Sequence, residues 1–176
     1  MKLHIFGASG SGVTTLGLAL AERLGVPYFD SDEYFWLKTE PPFTSRRDGA
    51  ERNELLLNDL AREKDWIFGG SMIKWGITLP YSLVVFLYVP PVVRMERLKK
   101  REWERYGTEI FDSAKRNEQY RAFLEWAASY ESPDAPGRSK KAHEEWFAQL
   151  TCAKMTIAGD TTVQERVERV MEAVGH

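Results

Sequence analysis

Cysteine is nearly absent: one residue in 176, Cys152. A single thiol excludes an internal disulfide and a cysteine-rich metal site, and Cys152 reads as a small apolar residue beside a late strand. Histidine is also scarce. His4, His143 and His176 stand far apart with no second ligand at metal spacing, which argues against a histidine metal centre. No charge of one sign prevails, since 24 Lys plus Arg face 26 Asp plus Glu and leave a net −2 with histidine neutral. That balance removes bulk attraction to nucleic acid or anionic lipid. Basic residues do interleave with Trp103, Trp126 and Trp146, but the acidic residues among them disfavour a nucleic-acid partner. Long apolar runs are missing too. Leu83 to Val93 is interrupted by Pro90 and Pro91 and falls short of the roughly 20 residues that cross a bilayer. The N-terminal apolar run breaks at Gly7, too soon for a signal peptide. A soluble cytoplasmic protein without a membrane partner is expected, and nothing in the sequence sets its oligomeric state.

What is present suits one globular domain over residues 1–176, with 43% of residues hydrophobic. Five short apolar runs read as buried strands: Leu3 to Phe6, Pro27 to Asp30, Trp66 to Phe68, Leu83 to Val89 and Lys154 to Ala158. The fourth, LVVFLYV, has no polar side to give to water, as expected of a strand covered on both faces. Helical patterns fill the intervals: Thr14 to Leu24, Ala50 to Glu63, Pro91 to Arg105, Ser113 to Tyr130, Ser139 to Leu150 and Val163 to Val174. Alternation of this kind predicts an α/β fold with a parallel sheet between helical layers and right-handed crossovers. Residues 91–150 form a charged helical insertion between the fourth and fifth strands. Insertions at strand ends are where such folds place binding residues.

The sharpest motif is Gly7-Ala8-Ser9-Gly10-Ser11-Gly12-Val13-Thr14-Thr15, directly after the first strand and opening the first helix. Its glycines let the backbone turn tightly and point N–H groups into one cavity, and the helix adds its positive N-terminal end. Phosphate oxygens are the ligand such a cavity favours. Thr14 falls where a hydroxyl reaches a magnesium ion shared with the phosphates. A second reading stays open. Gly7 and Gly10 with Asp30 imitate a dinucleotide-binding fingerprint, in which Asp30 would hold a ribose hydroxyl, although Val13 or Thr15 stands where its third glycine belongs. A glycine turn without ligand is the third.

At Gly7 to Thr15 the chain resembles the P-loop kinases of nucleotides and small metabolites, the group of adenylate, shikimate and gluconate kinases. One position departs: Val13 replaces the lysine that bridges the β- and γ-phosphates. The resemblance implies a P-loop three-layer α/β/α sandwich, strand order 2-3-1-4-5, with residues 91–150 as a lid. It also implies ATP and Mg2+ as cofactors, with Gly7, Ser9, Gly10, Ser11, Gly12, Val13, Thr14 and Thr15 around the phosphates.

Further candidates lie along the expected ligand edge of the sheet. Two carboxylates two apart on an extended chain, Asp30 and Asp32, would face the phosphate cavity together. Asp30 would orient waters on magnesium, and Asp32 would hold an acceptor hydroxyl and take its proton. The Phe29-Asp30-Ser31-Asp32 run is similar to the one in shikimate kinase that plays these two roles. The bland alternative is a turn with a capping Asp before a short helix. Trp36 and Arg47, in a segment of aromatics, Pro41, Pro42 and Phe43, suit a planar or anionic acceptor or a lid packed on itself. By resemblance, Gly69 and Gly70 let the substrate approach the backbone, and Arg97 and Arg101 enter the lid, one of them stacking on the nucleotide base. Arg116 is the first candidate for the charge missing at Val13, then Arg101, with Lys74 and Arg138 as further possibilities. Two departures narrow the acceptor. The shikimate-binding arginine that the resemblance leads one to expect is absent, with Ala127 near its place, and FGGSMIKWG stands where adenylate kinases carry the run that recognises AMP. The expected activity is magnesium-dependent transfer of the ATP γ-phosphoryl group to a small acceptor, a nucleoside, nucleotide or polyol. The alternative is a nucleotide-binding or regulatory protein without turnover, and a remote one an NAD(P)-binding protein.

Overall fold

Strands form at the five runs expected from the sequence. The first, third and fourth are buried as expected, whereas the second is half-buried and the fifth, which carries Lys154 and Thr156, is largely exposed at the sheet edge. In the computed structural model they are β1 (Lys2–Gly7), β2 (Tyr28–Asp30), β3 (Trp66–Gly69), β4 (Leu83–Tyr88) and β5 (Ala153–Ala158). The structure describes residues 1–40, 42–135 and 137–175; Pro41 and His176, named above, lie outside the described residues. All pairings are parallel and the order is β2-β3-β1-β4-β5, as expected. Leu3 of β1 stands opposite Ile67 of β3 on one side and Leu83 of β4 on the other. The dinucleotide-binding order places β2 directly beside β1. Here β3 lies between them, so that alternative is set aside.

The helices are α1 (Val13–Leu24), α2 (Ser31–Phe35), α3 (Gly49–Ala61), α4 (Pro91–Tyr106), α5 (Glu109–Asp112), α6 (Ala114–Ala128), α7 (Lys140–Gln149) and α8 (Val163–Val174), with a 3-10 turn at Ser129–Glu131. Strand periodicity of two sorts side chains between the layers. Leu3, Ile5, Val85 and Leu87 pack with Leu16 and Leu20 of α1 and Val167 and Val170 of α8. On the opposite face, Trp66 and Phe68 meet Leu56 and Leu60 of α3, while Phe6 and Phe86 meet Trp146 and Phe147 of α7. Each fully buried leucine contributes about 1.5–3 kcal/mol by leaving water. No helix among the described residues is long and apolar enough to cross a membrane.

His4 takes a core position on β1. It is fully buried against Phe68, Tyr81 and Trp146, with ring centroids 5.0–5.5 Å away. Neither ring nitrogen has a hydrogen-bond partner, and burial pushes its pKa down to about 3.

Candidate active site

The glycine loop joins β1 to α1. Gly12 has φ 90°, and a Cβ there would lie 2.9 Å from the Arg166 guanidinium, so only glycine fits. Three arginines hold the loop's carbonyl side. Arg94 Nη1 donates to the Ser9 carbonyl (3.1 Å), Arg97 Nη1 to Gly10 (3.4 Å) and Arg166 Nη1 to Ser11 (2.7 Å). With its carbonyls tied back, the loop presents its amides and the positive end of α1 to an anion. Arg94 is fully buried; it also donates to the Val89 carbonyl and lies 3.5 Å from the Glu131 carboxylate. Arg166 is fixed by Thr161 Oγ1 (2.8 Å), and burial, then the nearby Arg97 charge, lower its pKa. Arg97 pairs with Asp160 at 2.5 Å, so it clamps the loop after β5 against the phosphate loop.

Sequence reasoning singled out neither Arg94 nor Arg166 for this work, because Arg166 lies 155 residues from Ser11 and no local motif marks it. Arg166→Leu is expected to leave the Ser11 carbonyl unsatisfied and to destabilise the protein by about 1–3 kcal/mol, read as a lowered urea midpoint. At the position of the customary lysine, Val13 packs against the core formed with α1 and α8 and brings no charge.

Asp30 ends β2 and caps α2. Its Oδ2 accepts from the Thr14 and Tyr28 hydroxyls, both at 3.0 Å, and its Oδ1 accepts from the Asp32 amide at 3.0 Å. The chain therefore leaves the strand at Ser31, which corrects the expectation that Asp30 and Asp32 alternate along an extended segment. The capped short helix brings them together instead. Magnesium is held by one or two carboxylates, other oxygens and substrate phosphates. The adjacent Thr14 hydroxyl and Asp30 carboxylate are an oxygen pair of that kind, so these residues fit the ion.

Two further expectations are corrected. A Cβ at Gly69 would overlap the Tyr28 ring, and one at Gly70 would overlap Ser31. These glycines make room for Tyr28, whose hydroxyl donates to Asp30, and for Ser31, and neither glycine is among the residues that line the cleft. Arg47 donates through Nε to the Tyr34 carbonyl (3.0 Å) and through Nη1 to Glu51 (2.6 Å). It braces α2 against α3, and Arg46 faces the cleft in its place.

That cleft, about 830 Å³, opens between the phosphate loop, α2 and the helices α4 and α6 that follow β4. Ser9, Asp32, Trp36, Arg101 and Arg116 all line it, as do Lys74 and Arg138. Its walls are aromatic and cationic. Arg116 lies 4.0 Å over the Tyr106 ring, Arg138 4.8 Å over Trp126, and Arg52 4.0 Å over Trp75. Asp32 opens on the cleft, yet the enclosing walls raise its pKa by desolvation, with the Asp30 charge adding to the shift. The positive charges of Arg138 and Arg101 oppose that rise. Conversely, burial lowers the pKa of Arg138 and the Asp32 charge restores part of it. A carboxylate beside two guanidiniums, in a cleft that Ser9 of the phosphate loop also lines, can hold a hydroxyl and accept its proton.

The AAA domain family matches residues 4–122. Uncharacterized protein YqaC of Bacillus subtilis is 43% identical over 173 residues, 97% of this chain and 96% of its own length. Shikimate kinase of Acinetobacter baylyi is 29% identical over 54% of this chain, which spans 60% of that relative. Among solved structures, deoxyadenosine kinase from M. mycoides with bound dATP superposes over the full length of both chains, with TM-score 0.60 and 17% identity. Shikimate kinase from Bacteroides thetaiotaomicron gives 0.53 and 21% over 100% of this chain and 99% of its own. The likeness in shape is that of a P-loop kinase fold.

Proposed function

For a chain that belongs to the AAA domain family, within the P-loop small-metabolite kinase group, we propose magnesium-dependent transfer of the ATP γ-phosphoryl group to a hydroxyl of a small acceptor. The observation that carries this reading is the hydrogen-bonded run from Thr14 through Asp30 to the Asp32 amide, which joins the head of the phosphate loop to the cleft. Loop amides and the end of α1 hold the β- and γ-phosphates. Thr14 and Asp30 would hold a magnesium ion, which would supply neutralising charge to those phosphates. Asp32 orients the acceptor hydroxyl and takes its proton. The acceptor oxygen bonds to the γ-phosphorus as the bond to the β,γ-bridging oxygen breaks, and ADP leaves with that oxygen.

Arg138 replaces the charge absent at Val13. It lies beside Asp32 and, with Ala8 and Ser9, lines a small pocket against the loop. This puts it ahead of Arg116 and Arg101, neither of which lines that pocket beside the loop. ADP release is measured across nucleosides, nucleoside monophosphates and polyols. Arg138→Gln is expected to lower kcat by about 10²–10³-fold while ATP affinity falls less than about tenfold, with partial recovery in Arg138→Lys. The apolar packing of Val13 favours a second reading, a nucleotide-binding module without turnover. Saturable ATP binding with no acceptor-dependent ADP would establish that one.

A further inference from the structure

Beneath the cleft, a buried chain of three side chains ends at Ser71. The Tyr130 hydroxyl lies 2.8 Å from His143 Nδ1, and His143 Nε2 lies 2.9 Å from Ser71 Oγ. His143 is fully buried, Tyr130 is 4% exposed and Ser71 8%, yet Ser71 lines the cleft. Burial, then the Arg138 charge, push the His143 pKa down to about 3, so the ring is neutral at ordinary pH. A neutral imidazole carries one N–H and one lone pair, which allows two arrangements.

In the first, Ser71 donates to Nε2 and Nδ1–H donates to the Tyr130 oxygen. The phenolic hydrogen then needs an acceptor, and the described residues supply none besides His143. The face of the Tyr130 ring is occupied by the Arg94 guanidinium, 5.0 Å from its centroid. In the second, Tyr130 O–H donates to Nδ1 and Nε2–H donates to Ser71 Oγ. The buried hydrogens of Tyr130 and His143 are then both satisfied, as buried groups generally are. The Ser71 hydrogen alone remains, free to point into the cleft.

We infer that Ser71 is a specificity-determining residue whose hydroxyl, fixed as a donor by His143 and Tyr130, binds an oxyanion carried by the phosphoryl acceptor. The acceptor is thus a hydroxyl compound bearing a phosphate or carboxylate group. Charge supports the same class. Arg46, Arg52 and Lys74 line this cleft, and none of the three forms an ion pair with a carboxylate among the described residues. The inference rests on the reading of this cleft as the acceptor site.

Two measurements test it without requiring turnover. Long-range proton–nitrogen correlation of 15N-histidine-labelled protein, with His143 assigned by its loss in His143→Gln, is expected to show the proton on Nε2. A proton on Nδ1 overturns the inference. Calorimetric titration with nucleoside monophosphates, hydroxycarboxylic acids, nucleosides and polyols, in the presence of a non-hydrolysable ATP analogue, reads the ligand. The charged compounds are expected to bind at least about tenfold tighter than the uncharged ones, and the two charged sets separate phosphate from carboxylate. Ser71→Ala should remove most of that preference, leaving affinity for the analogue unchanged, and Ser71→Thr should restore it. Equal binding of uncharged compounds, no effect of Ser71→Ala, or binding of no panel member overturns the inference. A missing ADP signal, by contrast, would defeat the phosphoryl-transfer reading and leave both readouts intact.

Discussion

Asp32→Asn is expected to lower kcat by about 10²–10⁴-fold, the usual contribution of a positioned general base, while the affinity for Mg-ATP changes by less than about threefold. The asparagine keeps the shape of the side chain but cannot take a proton. The Asp32 amide, which ties Asp30 to the first turn of α2, is unaffected, so the Thr14–Asp30 pair stays in place. The pH profile follows with a definite sign. Activity requires ionised Asp32, and desolvation together with Asp30 raises its pKa, so kcat/KM should fall on the acid side at a higher pH than for an ordinary carboxylate. Arg138 opposes that rise, and Arg138→Gln should move the acid limb to still higher pH. An Asp32→Asn protein with wild-type turnover, or an acid limb that Arg138→Gln leaves in place, would remove Asp32 from the chemistry.

The second large effect concerns stability in acid. His4 and His143 both have pKa values pushed down to about 3, chiefly by burial. Unfolded histidine titrates near 6.5, so below that pH the unfolded chain binds up to two protons that the folded chain does not. The stabilising contribution is therefore present above about pH 6.5 and is lost as pH falls toward 3, with a slope that steepens to at most about 3 kcal/mol per pH unit once both unfolded imidazoles are protonated. Urea unfolding at pH 7, 6 and 5 measures the slope. His4→Leu should halve it. It should also stabilise the protein at pH 7 by about 1–3 kcal/mol, since both imidazole nitrogens are buried without partners. His143→Leu also removes one proton from the slope but destabilises, because it strands the Tyr130 and Ser71 hydroxyls. Stability independent of pH between 7 and 5 would contradict both assignments.

Much of this fold is legible in the sequence because its signals are local and periodic. The run LVVFLYV is a strand because both faces are covered, and β4 begins at the expected Leu83. The glycine loop announces its turn by composition, and Val163–Val174 coincides with its apolar spacing. Helix α2 spans only five residues, too short to show a period, so the sequence allows two readings of Asp30 and Asp32, an extended strand end and a capping Asp before a short helix, and the second is the one that forms. Other misses are non-local. Nothing near Gly69 or Gly70 says that Tyr28 and Ser31 fill the space a Cβ would need. Arg47 and Arg46 are neighbours in sequence, and only the bond to the Tyr34 carbonyl decides which one turns inward. The arginine cage behind the phosphate loop draws on Arg94, Arg97 and Arg166, from two helices that follow the fourth and fifth strands. His143 reads as part of a charged helix, yet its side chain lies beneath the cleft between Tyr130 and Ser71.

All of the proposed chemistry requires that backbone amides, with no lysine at position 13, hold a nucleoside triphosphate. Calorimetric titration of the full chain with Mg-ATP measures this directly. One saturable site with a dissociation constant below about 1 mM is expected, weakened at least about tenfold in Gly12→Ala, whose Cβ would press on Arg166. An absence of saturable binding at several-fold higher nucleotide, in protein shown to be folded, would contradict it.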